Sequence, residues 1–226
     1  MKTLIIPFYQ SEKIVKKTVD FLLNHYSGDN DIEFIFVNDG SLDNTEKLLL
    51  EYTDPRINVV SYRENKGKGY AIKQGILKAK GDRIVFTDDD VPYGIHKVDL
   101  FFRDLNFVKA VIGKRVFSSG LVRNFIHYMC RVLVFFSCGF EQTDTQCGIK
   151  GMRSSIAKKF VEKSVVDKFG FDIEILYFLH INKIAVLERY VKQINNTEST
   201  IKFNDLLIVA KDFIKMKRNK RKYFTI

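Results

Sequence analysis

Residues 1–91 repeat one pattern: a short run of aliphatic, β-branched and aromatic residues ends in a polar loop, and a segment with apolar residues at helical spacing follows. A strand is predicted at 3–6, closed by Pro7. Ser11 then offers an N-cap for a helix carrying Val15, Val19, Leu22, Leu23 and Tyr26, ended by Gly28. The next strand, 33–37, runs into Asn38-Asp39-Gly40-Ser41 and a helix over 44–52. A third, 58–62, leads through Asn65-Lys66-Gly67-Lys68-Gly69 into a helix with Ala71, Ile72, Ile76, Leu77 and Ala79, closed by Gly81. The fourth run, RIVFTDDDV at 83–91, is apolar at Ile84, Val85 and Phe86 without alternation, as in a strand buried on both faces. Units of this kind predict an α/β fold with a mostly parallel central sheet, right-handed crossovers and helices on both faces.

In such a sheet the loops at the carboxyl ends of the strands share one crevice. That brings together residues 7–12, 38–41, 65–69 and 88–90. Asp39 is suited to accept hydrogen bonds from a base or a ribose, Tyr9 to stack on a base, and Lys68 to meet phosphate charge. Asp88, Asp89 and Asp90 repel one another unless donors or a cation compensate, which points to a divalent metal with oxygen ligands. A solvated acidic turn, a plain Asp-Gly turn and a flexible basic loop are the bland alternatives for the same stretches.

The remaining chain departs from the repeat. A helix is predicted at 95–105 and a strand at 108–112 that ends at Gly113-Lys114-Arg115. Residues 122–136 carry a helical apolar stripe with Arg123, His127 and Arg131 along the other side, an amphipathic helix for the protein core or a lipid surface. TDTQCGIKGMR at 143–153 is polar, and its Gly148 and Gly151 permit close backbone approach. In a helix over FDIEIL, Asp172 and Glu174 fall on different faces, so at most one of them serves a given site. A late strand is expected at 185–190. The segment from 204 has apolar Leu206, Leu207, Ala210, Phe213 and Ile214 on one face, then seven Lys or Arg between Lys211 and Lys222.

With 226 residues and 46% hydrophobic content the chain buries a sizeable core. The expected organisation is one domain at 1–203, with halves at 1–92 and 93–203, and a basic amphipathic tail at 204–226. The net charge of +10 calls for an anionic partner: nucleic acid, a phosphorylated substrate or an anionic membrane surface. Cys130, Cys138 and Cys147 lack CxxC spacing, so a reduced cytosolic chain is expected rather than a disulfide or zinc framework. The first ten residues are too short in apolar length for a signal core. The longest greasy stretch, 125–140, contains His127 and Arg131 and falls short of a membrane span.

Taken together, IPFYQSEKIV, VNDGSLDNT, NKGKGYAIKQGILKAKGDRIVFTDDD, GKR, RNF, TDTQCGIKGMR and FGFDIEILY resemble the family 2 glycosyltransferases of GT-A fold, within them the polyprenyl-phosphate sugar transferases of the dolichyl-phosphate glucose and mannose synthase type. DTQCGIK followed by FDIEILY looks most like the glucose branch. The resemblance implies inverting transfer of a hexose from a nucleotide diphosphate sugar, UDP-glucose ahead of GDP-mannose, to a polyprenyl or dolichyl phosphate, at the cytoplasmic face of a membrane. It implies Pro7, Tyr9, Glu12, Asp39, Lys68, Asp88 and Asp89 for the nucleotide sugar, with Asp88 and Asp90 as the DxD pair on Mg²⁺ or Mn²⁺. Lys114, Arg115, Arg123, Gln146 and Lys150 would face the acceptor, and Asp90, Arg115, Arg123 and Asp144 would carry catalysis. Pro92 departs from the family, where a glutamine or serine is common, and no terminal transmembrane helices are evident. Two other readings stand beside this one: a soluble transferase acting on a hydroxyl with Asp144 as base, and a non-catalytic binder of nucleotide sugar or nucleic acid. No nucleic-acid motif is recognisable, so none is expected as a partner.

Overall fold

A computed structural model describes residues 1–116, 144–168, 170–194 and 203–224, with the side chains of the last segment from Lys211 onward. Seven strands form one sheet in the order β3-β2-β1-β4-β6-β5-β7. They are β1 (Lys2–Phe8), β2 (Ile32–Asp39), β3 (Ile57–Tyr62), β4 (Arg83–Phe86), β5 (Ala110–Arg115), β6 (Lys150–Arg153) and β7 (Val186–Val191). Pairing is parallel from β3 through β4 and between β5 and β7, while β6 runs antiparallel to both of its neighbours. The helices are α1 (Val15–His25), α2 (Thr45–Leu50), α3 (Lys68–Lys78), α4 (Ile95–Asp104), α5 (Ser154–Lys163), α6 (Phe171–Ile181) and α7 (Phe203–Arg218), followed by a 3₁₀ turn at Lys220–Tyr223.

Strand alternation divides the interior into two cores. Leu4, Ile6, Phe8, Phe34, Phe36 and Val85 face α1, α2 and α4. Ile5, Ile35, Val37, Ile84 and Phe86 face α3, α5, α6 and the C-terminal segment. Ile84, Val85 and Phe86 of β4 are all buried, which explains why that strand reads as a continuous apolar run rather than an alternating one. The predicted α/β architecture with helices on both faces is therefore present.

Several local expectations are corrected. Pro7 does not close β1, which continues to Phe8 in register with Asn38. The backbone contacts Lys2 N to Asp31 O and Thr87 N to Ile5 O direct even-numbered residues toward β2 and odd-numbered ones toward β4. The pairing with β4 stops at Ile5, so the nitrogen of Pro7 points where no ladder partner is required. Ser11 is not a helix cap. Helix α1 starts four residues later, and the Ser11 hydroxyl bonds the carboxylate of Asp89. The polar stretch 143–153, for which no element is predicted, supplies β6 at Lys150–Arg153, inserted between β4 and β5.

The C-terminal segment is fastened to the body. Tyr223 is fully buried, its hydroxyl donates to Glu174 at 2.5 Å, and its carbonyl accepts from Asn182. Met216 is buried and Phe213 packs on the same core, whereas Ile214 is 52% exposed. The apolar stripe is thus divided between protein and solvent. The amphipathic helix expected at 122–136 lies outside the described residues, as do Arg123, Cys130 and Cys138.

Candidate functional site

A cavity of about 460 Å³ opens at the carboxyl ends of β1, β2 and β4. Pro7, Tyr9, Asp39, Lys68, Asp88 and Asp89 line it, so six of the residues predicted for the nucleotide sugar meet there. The first wall is the loop after β1. Gln10 N donates to Ser41 Oγ at 3.0 Å and Ser11 N to Thr45 Oγ1 at 2.8 Å, which ties this loop to the one after β2. Tyr9 stays 47% exposed, leaving its ring available for stacking. Glu12 turns away: its carboxylate accepts from the backbone and side chain of Asn44, outside the cavity lining.

Asp39 organises the second wall. Its carboxylate accepts from Lys66 N at 2.8 Å, Gly67 N at 2.9 Å and Asn65 Nδ2 at 3.2 Å. The burden of NKGKG is therefore geometric: Gly67 sits at φ +96°, a left-handed conformation that costs glycine nothing, and starts α3 at the cavity edge. The third wall, 167–172, is locked to that helix start by Tyr70 N donating to Asp167 O at 3.0 Å. It contributes Lys168, Phe171 and Asp172 to the lining.

At the floor lies the acidic turn. Asp88 Oδ1 pairs with the Lys68 ammonium, and each side chain is about one third exposed. The other oxygen lies close to Gly148: a Cβ there would stand 2.1 Å from Asp88 Oδ2, so a larger residue would displace this carboxylate. Burial is the largest influence on Lys68 and pulls its pKa down, yet the carboxylates of Asp88 and Asp172 outweigh it and the net shift is upward. Asp89 accepts from Ser11, and its backbone carbonyl from Thr18 Oγ1 at 2.7 Å. Burial first, then Asp88 and Asp90, raise its pKa. Val91, β-branched, is held at φ +45° immediately after the turn, a conformation that stores about 1–3 kcal/mol of strain beside the site.

The acceptor-side residues separate. Lys150 is completely buried, its ammonium shared between Asp172 at 2.5 Å and Cys147 O at 2.6 Å. Arg115 grips Asp144 in a fork, Nε to Oδ2 and Nη2 to Oδ1, both at 2.8 Å, and its backbone N–H adds a third bond. Burial pushes the Asp144 carboxyl up, but Arg115 overrides it and the pKa falls below the ordinary carboxylate range. Lys114 pairs with Glu188 at 3.1 Å and lies over the Tyr190 ring, and Gln146 is half-buried in the loop before β6. None of Lys114, Arg115, Asp144, Gln146 or Lys150 lines the cavity. Lys168, Phe171 and Asp172 went unassigned in the sequence. The signal available was the pair Asp172 and Glu174, and the helix does divide them: Asp172 faces the cavity, while Glu174 is buried and accepts from Ser164, Val165 N, Val166 N and Tyr223.

The family model for glycosyl transferase family 2 matches residues 3–160, well over half of the chain. The chain belongs to glycosyl transferase family 2. Within the family, a dolichyl-phosphate beta-glucosyltransferase of Homo sapiens is 26% identical over 210 residues, covering 82% of this chain and 65% of its own length. One of Trichomonas vaginalis is 28% identical over 233 residues, covering 94% of this chain and 71% of its own length. This chain thus spans about two thirds of the mammalian relative. Among solved structures, glucosyl-3-phosphoglycerate synthase of M. tuberculosis superposes with a TM-score of 0.70 at 17% identity, covering 97% of this chain and 81% of that one. The same protein, in complex with Mn²⁺ and uridine-diphosphate-glucose, superposes at 0.69. The shared fold is GT-A-like, and the expected family and fold class are both found.

Proposed function

We propose that this chain transfers a hexose from a nucleotide diphosphate sugar, UDP-glucose before GDP-mannose, to a polyprenyl or dolichyl phosphate at a membrane surface, inverting the anomeric carbon. The observation that carries this reading is the cavity at the carboxyl edge of β1, β2 and β4, floored by Asp88, in a chain whose relatives are dolichyl-phosphate glucosyltransferases. Tyr9 and the wall held by Asp39 suit a nucleoside, and the N-terminus of α3 with Lys68 suits a diphosphate.

A divalent cation fits this donor set in part. Among the described residues no group of three or more His, Cys, Asp or Glu is arranged to hold a metal alone. Asp89 is engaged by Ser11, and Asp88 already attracts a cation, the Lys68 ammonium. Asp88 and Asp90 would therefore hold Mg²⁺ or Mn²⁺ together with diphosphate oxygens. When bound, the ion supplies charge neutralisation for the departing nucleoside diphosphate.

The acceptor chemistry agrees with the state of Asp144. A phosphate monoester has a second pKa near about 6, so its attacking oxygen is already anionic at neutral pH and needs no strong base. An acceptor hydroxyl would need one, and Asp144, forked by Arg115 and held at low pKa, is poorly suited to the task. Its role is to orient Arg115 toward the acceptor phosphate. Seven Lys and Arg from Lys211 to Lys222 are all exposed, and cations near anionic headgroups contribute about 1 kcal/mol each. Among the described residues no helix is long and apolar enough to cross a membrane.

The test is transfer from labelled UDP-glucose and GDP-mannose to dolichyl phosphate, with soluble sugars in parallel. Label in the lipid extract with inverted configuration is expected, and Asp88→Asn is expected to lower turnover about a hundredfold or more. Label only in soluble product, or retained configuration, would overturn the reading.

A further inference from the structure

Lys68 and Asp88 form an ion pair inside the donor cavity itself, which is an uncommon place for a carboxylate proposed to hold a metal. The two oxygens of Asp88 are not equivalent. Oδ2 lies close to Gly148, where a Cβ would stand 2.1 Å from it. Oδ1 is covered by the Lys68 ammonium, and both residues line the cavity. Of the neighbouring carboxylates, Asp89 is turned back onto Ser11 and Asp172 is drawn to the buried Lys150, which leaves Asp90 as the partner of Asp88 in the metal reading. A cation that approaches Asp88 from the cavity thus meets a positive charge already seated on Oδ1.

From this we infer that Lys68 is a positioning residue that couples metal entry to nucleotide entry. The inference rests on the donor-site reading given above and deepens it. Without a nucleotide, Lys68 neutralises Asp88 and repels a divalent ion. A nucleoside diphosphate brings anionic oxygens to the start of α3, where Lys68 is the first helical residue. Lys68 can then exchange one anionic partner for another, releasing Oδ1 without leaving its own charge unpaired. The exchange costs little because the pair is about one third exposed, so both partners remain within reach of solvent while they separate. A fully buried pair would pay the desolvation of both ions to do the same.

The experiment measures Mn²⁺ binding by electron paramagnetic resonance, with Mn²⁺ alone and with Mn²⁺ plus UDP or GDP, for the full chain and for Lys68→Met, Lys68→Gln and Lys68→Arg. The wild type is expected to bind Mn²⁺ weakly alone and more tightly with a nucleotide. Both neutral variants are expected to gain about tenfold or more for Mn²⁺ alone, because a like charge at contact distance has been removed. Lys68→Arg keeps the charge and should behave as the wild type, and adding Asp88→Asn to Lys68→Met should abolish the gain. Two neutral variants guard against one that folds poorly, and thermal unfolding checks each. If both neutral variants bind Mn²⁺ with nucleotide but gain nothing for Mn²⁺ alone, the coupling role is wrong. If neither wild type nor variant binds Mn²⁺ with either nucleotide, the donor-site reading itself fails and takes the exchange with it.

Discussion

Two of the cation–carboxylate pairs at the carboxyl edge of the sheet differ in what surrounds them. Lys68–Asp88 lines the cavity with its side chains 36% and 34% exposed, whereas in Arg115–Asp144 the values are 20% and 3%. The first pair is a single contact through one oxygen, while the second is a planar fork reinforced by a backbone N–H. The contrast teaches that charge type alone does not define a role. An open single contact can be exchanged for an incoming ligand, and a sealed fork cannot be opened without stranding a buried charge.

The largest effect should come from opening the sealed pair. Asp144→Ala is expected to cost about 3–5 kcal/mol in urea unfolding, because it removes the buried carboxylate that forks the Arg115 guanidinium. Tyr223→Phe comes next, at about 1.5–3 kcal/mol, through loss of the hydroxyl bond to the buried Glu174. A loss near zero there would show that the C-terminal segment is only loosely docked.

Two buried carboxylates then give opposite pH signatures. Asp144 is held below its ordinary value of 3.8, so its contribution is present above that pH and is lost as pH falls through the folded value. The deficit of Asp144→Asn should therefore shrink in acid. Glu174 is raised above 4.5 mainly by burial, so its contribution is present below that pH and is lost as pH rises through the folded value. Glu174→Gln should gain on the wild type over that rise. Parallel curves for wild type and either variant would refute the corresponding assignment. The smallest change in stability, under about 1 kcal/mol, is expected for Lys68→Met. A loss comparable to that of Asp144→Ala would erase the distinction between the open and the sealed pair.

Much of the donor side was legible in the sequence because its signals are local. Apolar runs followed by polar loops place Pro7, Tyr9, Asp39, Lys68 and Asp88 at one sheet edge by topology alone. What each side chain does there was less legible. Asp39 holds the backbone at 66 and 67, Asp89 turns to Ser11, and Glu12 turns to Asn44, since neighbouring donors in space compete for every carboxylate. The surroundings of the residues expected to face the acceptor were less legible still. Lys150 lies in β6, an antiparallel strand of four residues between β4 and β5, where burial forces it onto Asp172 and a carbonyl.

The sequence by itself determined the alternating α/β order, the two-sided burial of β4 and the meeting of four loops, because strand and helix periodicities and crossover handedness act over a few residues at a time. Only the tertiary structure decided that Lys68 pairs with Asp88, which of Asp172 and Glu174 reaches the cavity, and that Tyr223 packs into the core beside Glu174. Those outcomes depend on contacts between residues far apart in sequence, and the geometry of packing, not residue type, selects among the partners available to each charge.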